Sequence, residues 1–325
     1  MQWNDIFIGG TGRFLPERIN LVNMPTADNS DQNAIRLSDY VSFTASSNLT
    51  SPEMACRAAT IALRQSGYES KDIAAIVYAQ FDNSDHFAPV CHLQRALKIR
   101  EALAFELGAA SDGGAMGLEV AAGLLRADIT AKAVLVTAAA RFQPPRWSNR
   151  WCFGIVLSDG SAATVLSREK GLARLIASAH SSAPDFETLC AFHVTDREPD
   201  VQSMLITKTG LGPYLDDLKE GVANVVEQVL EEAGVKLSDI TKFAVTGIGL
   251  AQLTEVVLEP LGITLGQTTW PFLRRIGHAG PCDQLLGLDY LLRQGELRQG
   301  DMLLVLGMGL GFRYTCLLLE VDEET

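Results

Sequence analysis

The chain lacks the long apolar segments and basic surplus that mark membrane and nucleic-acid-binding proteins. No apolar run approaches the ~20 residues that cross a bilayer, and residues 1–10 show no basic segment followed by an apolar one. The formal net charge is −12 and the pI about 4.9, which argues against a nucleic-acid partner because phosphates require a basic surface. We therefore expect a cytoplasmic protein that binds neither membrane nor nucleic acid, although a local basic patch for a phosphorylated carrier is compatible with this charge.

Cysteine is present, but its spacing matches neither a metal site nor a disulfide framework. The six cysteines are scattered without a CxxC pair, so we expect buried reduced thiols and no metal. Of 325 residues, 47% are hydrophobic and 20% charged, which is typical of a globular protein with a sizeable core.

The chain contains an internal repeat. Residues 59–77 (ATIALRQSGYESKDIAAIV) and 226–244 (VEQVLEEAGVKLSDITKFA) each read as an amphipathic helix, a glycine, a short polar turn and an apolar strand. Gly67 and Gly234 are separated by 167 residues, and so are Asp72 and Asp239. A constant offset indicates that the two halves share one fold.

The same offset continues further along the chain. It relates Ser111 to His278, and the helices that follow them lead into apolar strands that begin at Val134 and Leu303. Each half then reads strand, helix, strand, polar turn, helix, strand and hairpin, which predicts an α/β fold with mostly parallel sheets covered on both faces. We place the two halves at residues 1–170, with Ser111, and 171–325, with His278, and expect them to share a core.

Ser111 and His278 are the strongest catalytic candidates. Both lie where a helix begins, a position that favours developing negative charge. If the halves are related by a pseudo-twofold axis, the two side chains face each other, and Asp283 is the nearest downstream acid to orient the imidazole. The alternative is that Ser111 caps its helix and His278 packs at an interface.

Three weaker signals complete the candidate set. The glycine-rich turn at Gly309, Leu310 and Gly311 suits loop geometry or a backbone oxyanion donor. The stretch RFQPPRWSNRW offers candidates for stacking a nucleotide base and holding phosphates, although a solvated loop with partly buried tryptophans explains it equally well. These candidates are Arg146, Trp147, Arg150 and Trp151. His193 is an auxiliary catalytic candidate, or else a buried histidine between apolar neighbours.

Three segments resemble one enzyme family, ketoacyl-ACP synthase III of the thiolase superfamily. FELGAASDGG resembles the family's nucleophile stretch, with Ser111 in the place of cysteine, and SDGSAATVL and GMGLGF resemble its hairpin and its glycine loop. The resemblance covers nearly the whole chain. It implies a thiolase fold of two βαβαβαββ halves in five αβαβα layers, a homodimer, and acyl-CoA or acyl carrier protein as thioester substrates, with no resident cofactor. Under this resemblance Arg146, Trp147, Arg150 and Trp151 become the candidates for binding CoA.

The chain departs from this family at all three condensing residues. Ser111 stands for the cysteine, Gly247 in TGIGLAQ for the histidine and His278 for the asparagine. Since decarboxylation and carbanion stabilisation rely on the histidine and asparagine together, these changes argue against Claisen condensation. Serine combined with GHxGxxD resembles a subgroup of starter-unit acyltransferases in natural-product polyketide pathways.

The sequence thus predicts a non-condensing acyltransferase. A short acyl group would pass through acyl-Ser111 to a carrier protein or small molecule, with His278 as base, Asp283 orienting it and backbone donors stabilising the oxyanion. A catalytically silent subunit that partners an active ketosynthase is the alternative. A residual condensing enzyme that uses serine fits less well, because the carbanion-stabilising pair is missing.

Overall fold

The computed structural model describes residues 1–23, 35, 37–81, 87–144, 147, 149–152, 154–169, 171–190 and 212–322. Two site candidates, Arg146 and His193, lie outside these residues. No helix in the described ranges is both long and apolar enough to cross a membrane.

Thirteen strands occur in the described residues, and nine of them form one sheet. The strands are β1 Phe7–Phe14, β2 Glu17–Asn20, β3 Ser42–Ala45, β4 Ile73–Gln80, β5 Leu103–Gly108, β6 Ala133–Ala140, β7 Trp151–Cys152, β8 Ile155–Val156, β9 Gly160–Ser167, β10 Ala173–Ser182, β11 Ile240–Val245, β12 Met302–Gly309 and β13 Arg313–Val321. The order in the large sheet is β11-β12-β13-β10-β1-β9-β6-β4-β5. The predicted boundary at residue 170 falls in the connection between β9 and β10.

The described helices alternate with these strands. They are α1 Ser51–Ser66, α2 Pro89–Leu97, α3 Gly113–Ala127, α4 Leu215–Ala233, α5 Leu250–Leu253, α6 Glu259–Leu261, α7 Trp270–Leu273 and α8 Asp283–Arg293, with a π-helical turn, Thr254–Leu258, joining α5 to α6. The helix α1 ends at Gly67 and α4 at Gly234, both in the left-handed conformation that the C-cap requires.

The sheet is more antiparallel than the sequence pattern indicated. The strand β4 runs parallel to β5 and β6, and β11 runs parallel to β12. The pairs β6–β9, β9–β1, β12–β13 and β13–β10 are antiparallel. The expectation of mostly parallel sheets was therefore wrong, because the strands that open and close each half pair without a helical crossover.

The repeat is visible in the topology. The run β4-β6-β9-β1 of the first half corresponds to β11-β12-β13-β10 of the second, and the halves join where β1 pairs with β10 at Phe7 and Ile8. The parallel bridge between Phe243 and Thr268 lies beside β11, as β5 lies beside β4. This single bridge of the second half thus takes the place that the outer strand β5 has in the first half.

Helices α3 and α8 lie side by side between the two parts of the sheet. The helix α3 packs on β4 and β6, α8 packs on β11 and β1, and α1 and α4 cover the outer faces, so helical and sheet layers alternate as predicted. Gly113 and Gly114 allow the two central helices to approach, since a Cβ at Gly113 would lie 2.9 Å from Pro281 Cβ and one at Gly114 2.5 Å from Pro281 O. This close approach brings the two helix N-termini to one point in the interior.

Candidate active site

Ser111 lies in a tight turn that precedes α3. Ala110–Asp112 forms a single 3₁₀ turn, and Ala110 adopts a φ of 47°, a left-handed conformation that is uncommon for a residue with a side chain. The backbone N–H of Asp112 donates to Ala109 O at 3.1 Å. Ser111 is only 6% exposed, and the turn directs it toward the second half of the molecule.

His278 lies at the equivalent place before α8, and its backbone is held on both sides. Its N–H donates to Val156 O at 2.8 Å, and its carbonyl accepts from Ser158 N at 2.8 Å. Gly277 has a φ of 82°, and a Cβ there would lie 2.9 Å from Ser158 Cβ. The residue before the histidine is therefore required to be glycine for two independent reasons.

The structure brings Ser111, His278 and Asp283 into a hydrogen-bonded series. Ser111 Oγ lies 2.8 Å from His278 Nε2, and His278 Nδ1 lies 2.6 Å from Asp283 Oδ2. All three are buried, with Asp283 fully so. This is the arrangement that a serine nucleophile, a general base and an orienting carboxylate require.

The contacts of Asp283 determine the histidine tautomer. Its Oδ1 accepts from Ala279 N at 2.8 Å, and its Oδ2 accepts from Gly247 N at 2.7 Å as well as from the imidazole. Both carboxylate oxygens of Asp283 thus act as acceptors toward backbone N–H groups, which can only donate, so Nδ1 of His278 is assigned as the N–H donor to Oδ2. Nε2 is then free to accept from the Ser111 hydroxyl.

Gly247 makes room for Asp283. A Cβ at position 247 would lie 3.0 Å from Asp283 Oδ2, which is closer than ordinary contacts allow. The carbonyl of Gly247 accepts from the Tyr40 hydroxyl at 2.6 Å. Burial, together with the charge of Asp283, raises the pKa of Tyr40 well above its ordinary value, so the phenol remains a neutral donor. Position 247, where the family resemblance places a histidine, thus holds the Asp283 carboxylate in place through its backbone N–H.

A small apolar cavity lies in front of Ser111 and His278. Its volume is about 80 Å³. Its described walls are mainly aromatic and aliphatic side chains, among them Phe81, Trp147, Cys152, Ile155, Leu157, Leu218, Ile248, Val256, Met308 and Phe312. Phe81, Phe142 and Trp147 pack edge to face with centroids 4.8–5.6 Å apart. No described lining residue carries a formal charge apart from protonatable His278, so the chamber suits a short uncharged group.

The glycine loop after β12 lies against the nucleophile turn. Gly309 and Leu310 line the same cavity as Ser111, and a Cβ at Gly309 would lie 2.7 Å from Ala109 O and 3.0 Å from Asp112 N. Gly311 adopts a φ of 84°. The loop therefore approaches the serine as the oxyanion prediction requires, and that role itself stays a prediction.

The candidates for binding CoA are not arranged as a surface platform. Trp147 is 3% exposed in the cavity wall, and Trp151 is buried in β7. The guanidinium of Arg150 pairs with buried Asp159 through N–O distances of 2.9 and 3.0 Å and lies over the Phe43 ring. These contacts indicate structural roles for the three residues, and a role in CoA binding gains no support from them.

The sequence analysis did not single out Gln284 or Asp112, both fully buried beside the site. Gln284 follows Asp283 directly and contacts the backbone of Ser111. Asp112 follows Ser111, where the family stretch has a small residue, and that difference was the available signal. In the part of the chain that the structure describes, no cluster of three or more His, Cys, Asp or Glu side chains is arranged to hold a metal ion.

Comparison with solved structures defines the class of protein. A 3-oxoacyl-[acyl-carrier-protein] synthase III from Aquifex aeolicus superposes with a TM-score of 0.82 at 22% identity, covering 96% of this chain and 99% of that one. ChlB3, described as an acyltransferase, superposes with a TM-score of 0.88 at 31% identity, covering 98% of both chains. The protein has the thiolase fold.

Sequence comparison identifies the family within that fold. Residues 105–184 match 3-oxoacyl-[acyl-carrier-protein] synthase III, and residues 230–321 match the C-terminal part of the same family. The Synechocystis β-ketoacyl-[acyl-carrier-protein] synthase III is 25% identical over 281 residues, 83% of this chain and 82% of that protein. The chain belongs to the 3-oxoacyl-[acyl-carrier-protein] synthase III family.

Asp112 makes the stability of the fold depend on pH. Burial raises the pKa of its carboxyl to about 7, against the opposing effects of the Thr315 hydrogen bond and the Arg313 charge. The unfolded chain ionises this group near its ordinary pKa of about 3.9, so between pH 4 and 7 the folded state binds the proton more tightly. The contribution of Asp112 to stability therefore falls as pH rises through this range, by up to about 1.4 kcal/mol per pH unit, and is level above it.

The substitution Asp112→Asn should remove this dependence. We expect the variant to gain stability relative to the wild type as pH rises from 5 to 8, measured as the free energy of unfolding in denaturant at each pH. Curves that stay parallel for the two proteins would show that Asp112 titrates normally in the fold.

Proposed function

We propose that the protein is a non-condensing acyltransferase that forms an acyl-Ser111 intermediate. The observation that carries this proposal is the buried Ser111–His278–Asp283 series, with its 2.8 and 2.6 Å contacts, at the mouth of an apolar cavity. The match to ChlB3, described as an acyltransferase, supports the same reaction class.

In the first step, Ser111 Oγ attacks the carbonyl carbon of an acyl thioester while His278 Nε2 accepts the hydroxyl proton. The C–S bond then breaks, and the imidazolium returns the proton to the departing thiolate of CoA or of a carrier protein. An acceptor nucleophile subsequently attacks the oxyester and gives its proton to His278. The acyl C–O bond to Ser111 then breaks as the imidazolium returns this proton to Oγ, which regenerates the serine hydroxyl. Asp283 stabilises the imidazolium in both half-reactions.

The cavity and the loop supply the other requirements of this chemistry. The apolar walls hold a short acyl chain and exclude water from the oxyester. Backbone N–H groups of Ser111 and of the Gly309–Gly311 loop are the proposed donors to the oxyanion. The substrates are an acyl-CoA or acyl carrier protein as donor and a carrier protein or small molecule as acceptor, and the setting is polyketide assembly in secondary metabolism.

Condensation is disfavoured by the residues present. Position 247 is glycine and contributes an N–H to Asp283, and His278 occupies the position that resembles the family asparagine. Neither residue is available to stabilise a malonyl-derived carbanion, because the imidazole is held between Ser111 and Asp283.

The proposal is tested first on Ser111. Incubation with a panel of short acyl-CoA and acyl-carrier donors should add one acyl mass to the intact protein, located by peptide mapping on Ser111. Ser111→Ala should abolish the adduct without lowering the unfolding temperature, whereas the remote control Ser70→Ala should be acylated normally. A folded protein that gains no adduct from any donor would favour the silent-subunit alternative.

A second prediction concerns the orienting carboxylate. Asp283→Asn keeps the shape but favours the wrong imidazole tautomer, so the single-turnover rate of Ser111 acylation should fall by roughly 10²- to 10⁴-fold without reaching zero. The surface control Asp128→Asn should acylate at the wild-type rate. An unchanged rate in Asp283→Asn would remove Asp283 from the catalytic series.

We also propose that the protein acts as a homodimer through β5. This strand lies at the end of the sheet, and Leu103 on it is 57% exposed, so its outer edge offers a template for pairing with a second copy.

Sedimentation tests the dimer directly. The wild type should sediment with the mass of two chains. Leu103→Lys should shift it toward one chain at micromolar concentration, whereas Ile129→Lys, at an exposed site away from β5, should leave the dimer intact. A wild type with the mass of a single chain would overturn this proposal.

A further inference from the structure

The side chain of Gln284 links the nucleophile turn to the second half of the molecule. Its Nε2 donates to the carbonyl oxygen of Ser111 at 3.0 Å and to Thr246 Oγ1 at 2.7 Å. Thr246 Oγ1 also accepts from the backbone N–H of Met308 at 3.0 Å, just before the glycine loop. One buried amide thus contacts the serine backbone and, through Thr246, the strand that leads into the loop.

The orientation of this amide follows from its partners. The carbonyl of Ser111 only accepts hydrogen bonds, so the NH₂ group must face it. Gln284 Oε1 is then directed toward α3, where it has no hydrogen-bond partner among the residues that the structure describes and would lie 2.9 Å from a Cβ at Gly114. Burying a polar oxygen without a partner is unfavourable, so packing alone does not account for glutamine at this position.

The nucleophile turn needs such a contact. Ala110 is held at a φ of 47°, a strained conformation that persists only where surrounding contacts impose it. Relaxation of this turn would rotate Ser111 away from His278 Nε2. The hydrogen bond from Gln284 to the carbonyl of Ser111 opposes this rotation at the nucleophile itself.

We propose that Gln284 is a positioning residue that sets the contact between Ser111 and His278. Asp283 and Gln284 are the first two residues of α8, so one helix end orients the imidazole through the carboxylate and the serine through the amide. Gln284 does not touch the reacting atoms and acts through the backbone of Ser111. The inference rests on the proposed nucleophilic role of Ser111 and adds a residue that the family resemblance did not indicate.

The test compares the same substitution at two glutamines, Gln284 in the first turn of α8 and Gln65 of α1, which contacts the last residue of α8. Gln284→Leu removes the amide beside Ser111. Gln65→Leu removes an amide whose Oε1 accepts from Thr11 N at 2.8 Å and from Arg293 Nη2 at 3.3 Å, at the opposite end of α8. We would measure the rate of Ser111 labelling by phenylmethylsulfonyl fluoride, in which Oγ displaces fluoride from sulfur, and the acylation rate at saturating acyl-CoA.

Gln284→Leu should lower both rates by about ten- to a hundred-fold, as expected for a misplaced nucleophile, with an unchanged half-saturating concentration of acyl-CoA. Gln65→Leu should keep wild-type rates even if its unfolding temperature falls. If Gln284→Leu does not fold, Gln284→Met, which keeps the length of the side chain without its N–H groups, replaces it. Wild-type rates in the folded variant would overturn the proposal.

Gln284→Glu separates positioning from packing. An ionised carboxylate would face the carbonyl of Ser111 without a proton to donate, whereas a protonated one restores a donor. The rate of this variant relative to wild type should therefore rise as pH falls, which a packing role does not predict; a constant ratio would contradict the proposal.

The outcomes also distinguish this inference from the proposed function. If the sulfonyl reagent labels Ser111 and Gln284→Leu slows the labelling, but no thioester acylates the protein, positioning stands and acyl transfer fails. Adducts that form equally well in Gln284→Leu leave acyl transfer standing and overturn positioning. If no reagent labels Ser111 in the wild type, both fail.

Discussion

The buried carboxylate of Asp283 is the interaction on which the rest of the site depends. A fully buried carboxyl group is tolerated only when hydrogen bonds replace the water it has lost, and here Ala279, Gly247 and His278 supply them. Each donor depends on its surroundings. A Cβ at 247 would crowd the carboxylate, the backbone of His278 is held by Val156 and Ser158, and Tyr40 binds the Gly247 carbonyl.

The repeated fold explains why these conditions are met at one point. The central helices α3 and α8 each begin directly after a 3₁₀ turn, and glycines on α3 let them lie close together. Their positive N-terminal ends converge in the interior, where an isolated helix end would be unfavourable without a compensating anion. One N-terminus carries Asp283, and the other lies beside the serine where, in the proposed reaction, transient charge would develop.

Much of this arrangement could be predicted, because residues separated by the constant offset of the repeat occupy equivalent positions in the two halves. The offset of 167 residues related Ser111 to His278 without reference to any other protein, and the structure places their side chains 2.8 Å apart. The contacts of Tyr40, Gly247 and Gln284 were not predictable, since they join segments from different elements whose approach no local pattern encodes. Arg150 is an opposite case, in which the sequence was misleading. Its basic and aromatic neighbours suggested an exposed ligand-binding position, but its partner Asp159 lies in the interior.

The close fit of Gly247 against Asp283 has an evolutionary consequence. The family resemblance places a histidine at position 247, yet even a Cβ there would lie 3.0 Å from the carboxylate oxygen. A histidine restored at 247 would therefore crowd the carboxylate that orients His278. Reversal at this position alone would disturb the present site, so a return to the family's arrangement would require His278 and Asp283 to change as well.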